Sequence, residues 1–166
     1  MKSPVPYITD EAFEKLPVPE RALHVARSYL GQREIPENRG PFVFRLLAAV
    51  GIHVPAPWCA AFVSVVLMEA GVPREKLPKN PARVRSWRNW AKALGRIVHR
   101  PRRGDLFLWV NANGTGHIGF VVEVRGTEIR TFEGNTNDAA SREGDRVAEL
   151  WRPVKGLTFI ELRGLA

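Results

Sequence analysis

Acyl transfer without a metal needs a nucleophile, a base to move its proton and a group that orients the base. The chain has one cysteine, Cys59, at the front of the apolar run PAPWCAAFVSVVLMEAG (55–71). Pro55 and Pro57 bar helix immediately upstream, so Cys59 falls in the first turn of the helix that follows. Unpaired N–H groups and the helix dipole there favour a thiolate, and they would stabilise an oxyanion formed beside the sulfur. The alternative is a small core hydrophobe, because free cysteine is among the most buried residue types.

Four histidines are available as the base. His24 falls within a helical pattern, His53 in a short loop and His99 in a basic stretch, and all three read as structural or surface residues. His117 follows the turn NANGTG and opens the strand pattern HIGFVVEV (117–124). Along it Ile118, Phe120, Val122 and Val124 point one way, and His117, Gly119 and Val121 the other. Gly119 leaves room for another element beside the imidazole. The next strand ends in TFEGNTND, which offers Glu133, Asn135 and Asn137 as orienting groups. A two-residue Arg125-Gly126 turn would set His117 opposite Gly134. A three-residue Val124-Arg125-Gly126 loop, with Gly126 left-handed in a bulge, would set it opposite Glu133 or Asn135. The three-residue loop is the expected arrangement, since it explains the glycine and assembles a site.

The elements that must carry these residues come in two blocks. Helical patterns cover 19–30, 41–50, 58–70 and 81–94. Pro19, Pro41 and Pro81 stand near their starts, Gly31, Gly51, Gly71 and Gly95 just past their ends, and Asn80 is a candidate N-cap for the fourth. The third is apolar on nearly every side and is expected to be the central buried helix. Strand patterns follow at 105–110, 117–124, 128–133, 146–152 and 157–162. Helices followed by strands predict an α+β domain, with the buried helix packed on a mostly antiparallel sheet. Residues 1–18 read as an extended arm and 19–166 as one domain.

Composition narrows the class. The 166 residues suffice for one core, and one cysteine excludes an internal disulfide. The opening MKSPVPYITDEAFEKLPVPE lacks the apolar stretch of a secretory signal, and no window predicts a transmembrane segment. The expectation is synthesis in the cytoplasm. The net charge of +8 is localised: residues 74–103 hold eleven Lys or Arg and one acid, Glu75, for +10, and the remainder sums to −2. Such a field favours a polyanion, although no nucleic-acid motif accompanies it.

PWCAAFVSVVLMEAG, PRRGDLFLW, GHIGFVVEV and FEGNTND, in this order, resemble the successive blocks of CHAP domains (cysteine, histidine-dependent amidohydrolases/peptidases), and HVARSYLGQREIPENRG resembles the N-terminal helix and loop of one subfamily. The resemblance spans about residues 22–153. It implies a papain-like fold, Cys59 as nucleophile, His117 as base, and Glu133 and Asn135 at the third position. Trp58 and Gly116, beside the nucleophile and the base, are the expected substrate contacts. Two features depart from the family pattern: SVVLM replaces a tryptophan usual in the cysteine helix, and no separate wall-binding domain is evident. The implied activity is hydrolysis of an amide in peptidoglycan, by an N-acetylmuramoyl-L-alanine amidase or a peptide-bridge endopeptidase, with no metal or organic cofactor. A phage lysin, or an effector exported to act on the cell wall, fits this activity. A monomer is expected, with Arg83, Arg85, Arg88, Lys92 and Arg96 available to an anionic wall polymer. The competing expectation is a non-catalytic module that binds such a polymer or nucleic acid through 74–103.

Overall fold

The computed structural model describes residues 8–136 and 144–166. Five helices precede the main sheet: α1 (Asp10–Glu14), α2 (Val18–Ser28), α3 (Pro41–Ala49), α4 (Cys59–Glu69) and α5 (Val84–Ala93). Six strands follow: β1 (Ile97–Val98), β2 (Leu106–Val110), β3 (Gly116–Arg125), β4 (Glu128–Thr136), β5 (Arg146–Pro153) and β6 (Thr158–Ile160). They form one antiparallel sheet of order β1-β6-β2-β3-β4-β5. The fold is α+β, with the cysteine on a buried helix, as in papain-like proteins.

All residues of α4 from Cys59 to Leu67 are buried. This matches its lack of a polar face and makes α4 the axis of the core. Its neighbours are β3 and β4 on one side and α2 and α3 on the other. Gly134 permits the approach of β4: a Cβ there would lie 2.8 Å from Cβ and Cγ of Phe62 and 2.9 Å from the Trp58 ring. Phe62 in turn meets Phe120 of β3 edge-on, with centroids 6.3 Å apart. The other face of the sheet carries a second cluster of Phe107, Val121, Ile129 and Phe159.

Three elements depart from expectation. The arm before residue 19 is not wholly extended, because Asp10–Glu14 forms a helix capped by the Thr9 hydroxyl, which accepts from the Ala12 N–H at 3.2 Å. The fourth predicted helix starts at Val84 rather than Pro81. The Pro81 carbonyl turns inward, accepts from Trp87 Nε1 at 3.0 Å and lies 3.1 Å from Ser64 Oγ. It is therefore not directed along a helix axis, and residues 80–83 form a turn instead. The β3–β4 connection is a two-residue turn, Gly126-Thr127, closed by the Arg125–Glu128 pair. The predicted three-residue loop is absent. The register shifts instead between Val121 and Glu123, at a bulge. Beyond the bulge Val124 pairs with Ile129 and shares its face, opposite to that of Ile118.

Candidate active site

The bulge decides which side chains meet. Before it Val121 pairs with Thr131 and Phe120 with Phe132, so Thr131 and Glu133 lie on the same face as Val121 and His117. The register that puts Glu133 beside His117 is present, produced by a bulge in mid-strand rather than at the turn. His117 Nε2 lies 3.2 Å from Glu133 Oε2, and both side chains are fully buried. Of the two candidates, Glu133 engages the imidazole. Asn135 follows in left-handed backbone, φ +55°, and is also buried. Asn137 lies outside the described residues.

A carboxylate only accepts, so Nε2 carries a proton toward Glu133 and Nδ1 is the nitrogen left for another partner. Nδ1 is buried and completes no hydrogen bond of ordinary geometry, yet the Cys59 side chain interacts with the imidazole directly. The two groups therefore approach without a fully formed bond, as catalytic pairs often do before substrate arrives. Burial alone would lower the pKa of His117. The adjacent Cys59 and Glu133 side chains outweigh it and raise it to about 9. The imidazole is thus held protonated through neutral pH beside the Glu133 carboxylate.

Glu133 is held on every side. Burial raises its pKa, but hydrogen bonds from Arg152 and His117 overcome that and bring it down to about 2. Arg152 grips it in a two-pronged bond, with Nε to Oε1 and Nη2 to Oε2, the latter at 2.7 Å. Thr131 Oγ1 donates to Oε1 at 2.9 Å. The Arg152 guanidinium in turn lies over the rings of Trp109 (5.1 Å) and Phe107 (5.8 Å), and Trp109 also flanks His117 at 5.1 Å. Gly119 is necessary here, since a Cβ would stand 2.7 Å from the Phe107 ring.

Arg152 and Thr131 were not singled out from the sequence. RVAELWR reads as a strand with a polar, solvent-facing side, and an arginine there looks like an exposed charge. The available signal was electrostatic: a buried orienting carboxylate needs a cation, and β5 is the strand beyond β4.

The first turn of α4 has no side-chain cap, so its N–H groups are not claimed by the preceding residue's side chain. Cys59 lines an open groove of about 560 Å³, together with residues of the 52–57 loop, the 80–83 turn with the start of α5, and the 113–116 turn. Gly116 lines it. Trp58 does not: its ring is fully buried, meets Phe42 edge-on and donates from Nε1 to Glu34 Oε2 at 2.8 Å. It fixes the start of α4 from behind. A second cavity of about 270 Å³, bordered by α2 and β3–β5, includes His24 in its lining and lies away from Cys59.

The family model for the CHAP domain matches residues 51–135, slightly over half of the chain, and spans Cys59, His117, Glu133 and Asn135. The chain belongs to the CHAP family. CHAP domains are generally cysteine- and histidine-dependent amidohydrolases or peptidases of the peptidoglycan-hydrolase type. No curated protein and no solved structure matches the chain. Arg152 lies beyond the matched residues, so the clamp on Glu133 belongs to the part of this CHAP protein that the family pattern does not describe. Among the described residues, no cluster of His, Cys, Asp or Glu could hold a metal ion, and no helix is long and apolar enough to cross a membrane.

Proposed function

We propose that this protein hydrolyses an amide bond of peptidoglycan, with Cys59 as nucleophile, His117 as acid and base, and Glu133 orienting His117. The observation that carries this reading is the buried imidazole held between the thiol and an arginine-clamped carboxylate. Asn135 supports the site from the neighbouring position on β4.

The Cys59 thiolate attacks the amide carbonyl carbon, and the first-turn N–H groups of α4 receive the oxyanion. Collapse of the tetrahedral intermediate breaks the C–N bond as Nδ1 of His117 gives its proton to the departing amine. Neutral His117 then takes a proton from water, and the hydroxide attacks the thioester. The thiolate departs, the product acid is released and the thiolate–imidazolium pair is restored. Glu133 keeps its charge throughout, because Arg152 and Thr131 hold it as the anion.

The bond cut is that of an N-acetylmuramoyl-L-alanine amidase or a peptide-bridge endopeptidase, and the enzyme acts on the wall after release or export, as a lysin or an antibacterial effector does. The exposed cations of α5 assist by holding anionic wall polymer. Arg96 is less available than these, since its guanidinium donates to the carbonyls of Glu161, Arg163 and Gly164. Digestion of purified peptidoglycan, with mass analysis of the new ends, tests the reading. Cys59→Ala should abolish release and leave the circular dichroism spectrum and melting temperature close to wild type. Release that persists in Cys59→Ala would exclude the mechanism. Salt-sensitive binding to the wall with no release by wild type would favour the non-catalytic, polymer-binding alternative.

A further inference from the structure

The groove that Cys59 lines combines apolar and cationic side chains. Ile52, Val54 and Ala56 are among its apolar residues, and Val54 is 62% exposed. Arg83 and Arg85, both exposed, line it as well. Most other arginines in the fold are matched: Arg33 with Asp145, Arg103 with Glu20, Arg130 with Glu149, Arg152 with Glu133. Neither the Arg83 nor the Arg85 guanidinium has a hydrogen-bond or ion-pair partner, and no acidic residue lines the groove among the described residues. Arg85 is also placed: its guanidinium lies against the 113–116 turn, where a Cβ on Gly114 would be 3.0 Å from Nη2. Gly114 has φ +86°, so backbone and space both select glycine there. This turn leads directly into His117.

We propose that the groove is a carboxylate-reading subsite, and that the substrate is an acidic peptide with a free carboxylate within one residue of the scissile amide. Arg83 and Arg85 grip the carboxylate, and the aliphatic part of the same residue lies on Ile52 and Val54. This inference rests on amide hydrolysis at Cys59 and names the substrate class for it. Planar guanidinium groups suit a carboxylate by two-pronged hydrogen bonding. Apolar side chains in one groove with two cations suit a peptide residue better than a chain of repeating phosphates, which would need a longer basic stripe.

The subsite can be tested apart from hydrolysis by alkylating Cys59 with iodoacetate and with iodoacetamide, which differ only in carboxylate against carboxamide. Rates are compared as a ratio in each protein, in 0.15 M salt, where charges beyond about 8 Å are screened. The wild-type ratio should exceed that of a small free thiol by about tenfold or more, the size expected of a charge-assisted hydrogen bond. It should fall to the free-thiol value in R83Q/R85Q. K76Q/R100Q removes the same charge from the basic segment outside the groove and should keep the wild-type ratio. A wild-type ratio no higher than the free thiol's, or an equal fall in both double variants, overturns the subsite. Matched peptide substrates ending the scissile residue in acid or amide give the second readout: kcat/KM should favour the acid by about tenfold in wild type and lose that preference in R83Q/R85Q. If no peptide is cut but the alkylation ratio behaves as expected, the hydrolytic reading fails while the carboxylate site stands. If peptides are cut with no preference for the acid, the hydrolytic reading stands and the carboxylate site fails.

Discussion

His117 and Glu133 are best understood as charges that the fold refuses to hydrate and must therefore match. His117 is raised to about 9 against an ordinary 6.5, so its contribution to stability is complete below about 6.5 and lost as pH rises through about 9. In the proposed mechanism the same proton is the one given to the leaving amine. The rate kcat/KM on a peptide amide should therefore fall on an alkaline limb centred near 9. Glu133→Gln removes one of the two groups that raise His117, and a pH–rate profile should show the limb move to lower pH. Glu133 runs the other way: its contribution is complete above the ordinary 4.5 and lost as pH falls through about 2. Arg152→Ala strands that carboxylate without its cation. It should cost about 3–5 kcal/mol by urea unfolding and move acid unfolding to higher pH, because Glu133 then protonates more readily. The sequence made Cys59, His117 and Glu133 readable because their residue types are rare or reactive where they stand. Arg152 was unreadable because its role depends on β5 lying beside β4, a long-range pairing that no local pattern encodes.

The elements themselves were largely readable. Proline near the start and glycine past the end bracket α2, α3 and α4 within three residues, and the unbroken apolar surface of α4 announces a helix with no solvent face. Helix α5 was misplaced by three residues because the inward turn of the Pro81 carbonyl toward Ser64 and Trp87 is a tertiary demand that overrides a good local start signal. The β3–β4 register was right in outcome and wrong in device: parity could be counted from the turn only by assuming an unbroken ladder, and the bulge breaks it. Contact between β4 and α4 depends on Gly134. Gly134→Ala would drive a methyl group against Phe62 and Trp58 and should destabilise by about 1–3 kcal/mol in thermal or urea melts. Because β4 also carries Glu133, the same substitution should slow Cys59 alkylation more than a surface substitution of equal stability cost.

Across the whole molecule, charge is sorted rather than spread. Residues 74–103 carry +10, the remaining chain is slightly acidic, and the positive segment includes Arg83 and Arg85, which line the groove with Cys59. Turnover of insoluble wall should therefore fall with added salt more steeply than turnover of a short uncharged peptide, a comparison made with one enzyme in a salt series. The segregation was visible as a run of Lys and Arg, but not which of them were available: only the fold shows Arg96 tied to carbonyls and Arg83 and Arg85 open. The bulge near Val122 has a further effect on how the molecule tolerates change. Because the face of Glu133 is set there, the hairpin tip beyond it carries none of the site residues, although the Val154 N–H ties it to the next strand by donating to the Thr127 carbonyl at 2.9 Å. The tip is exposed, and a Cβ on Gly126 would meet nothing within 4 Å. A short flexible peptide spliced between Gly126 and Thr127 should leave catalysis intact, which makes the tip a natural point for grafting a label or a targeting sequence and a place where insertions can accumulate between relatives.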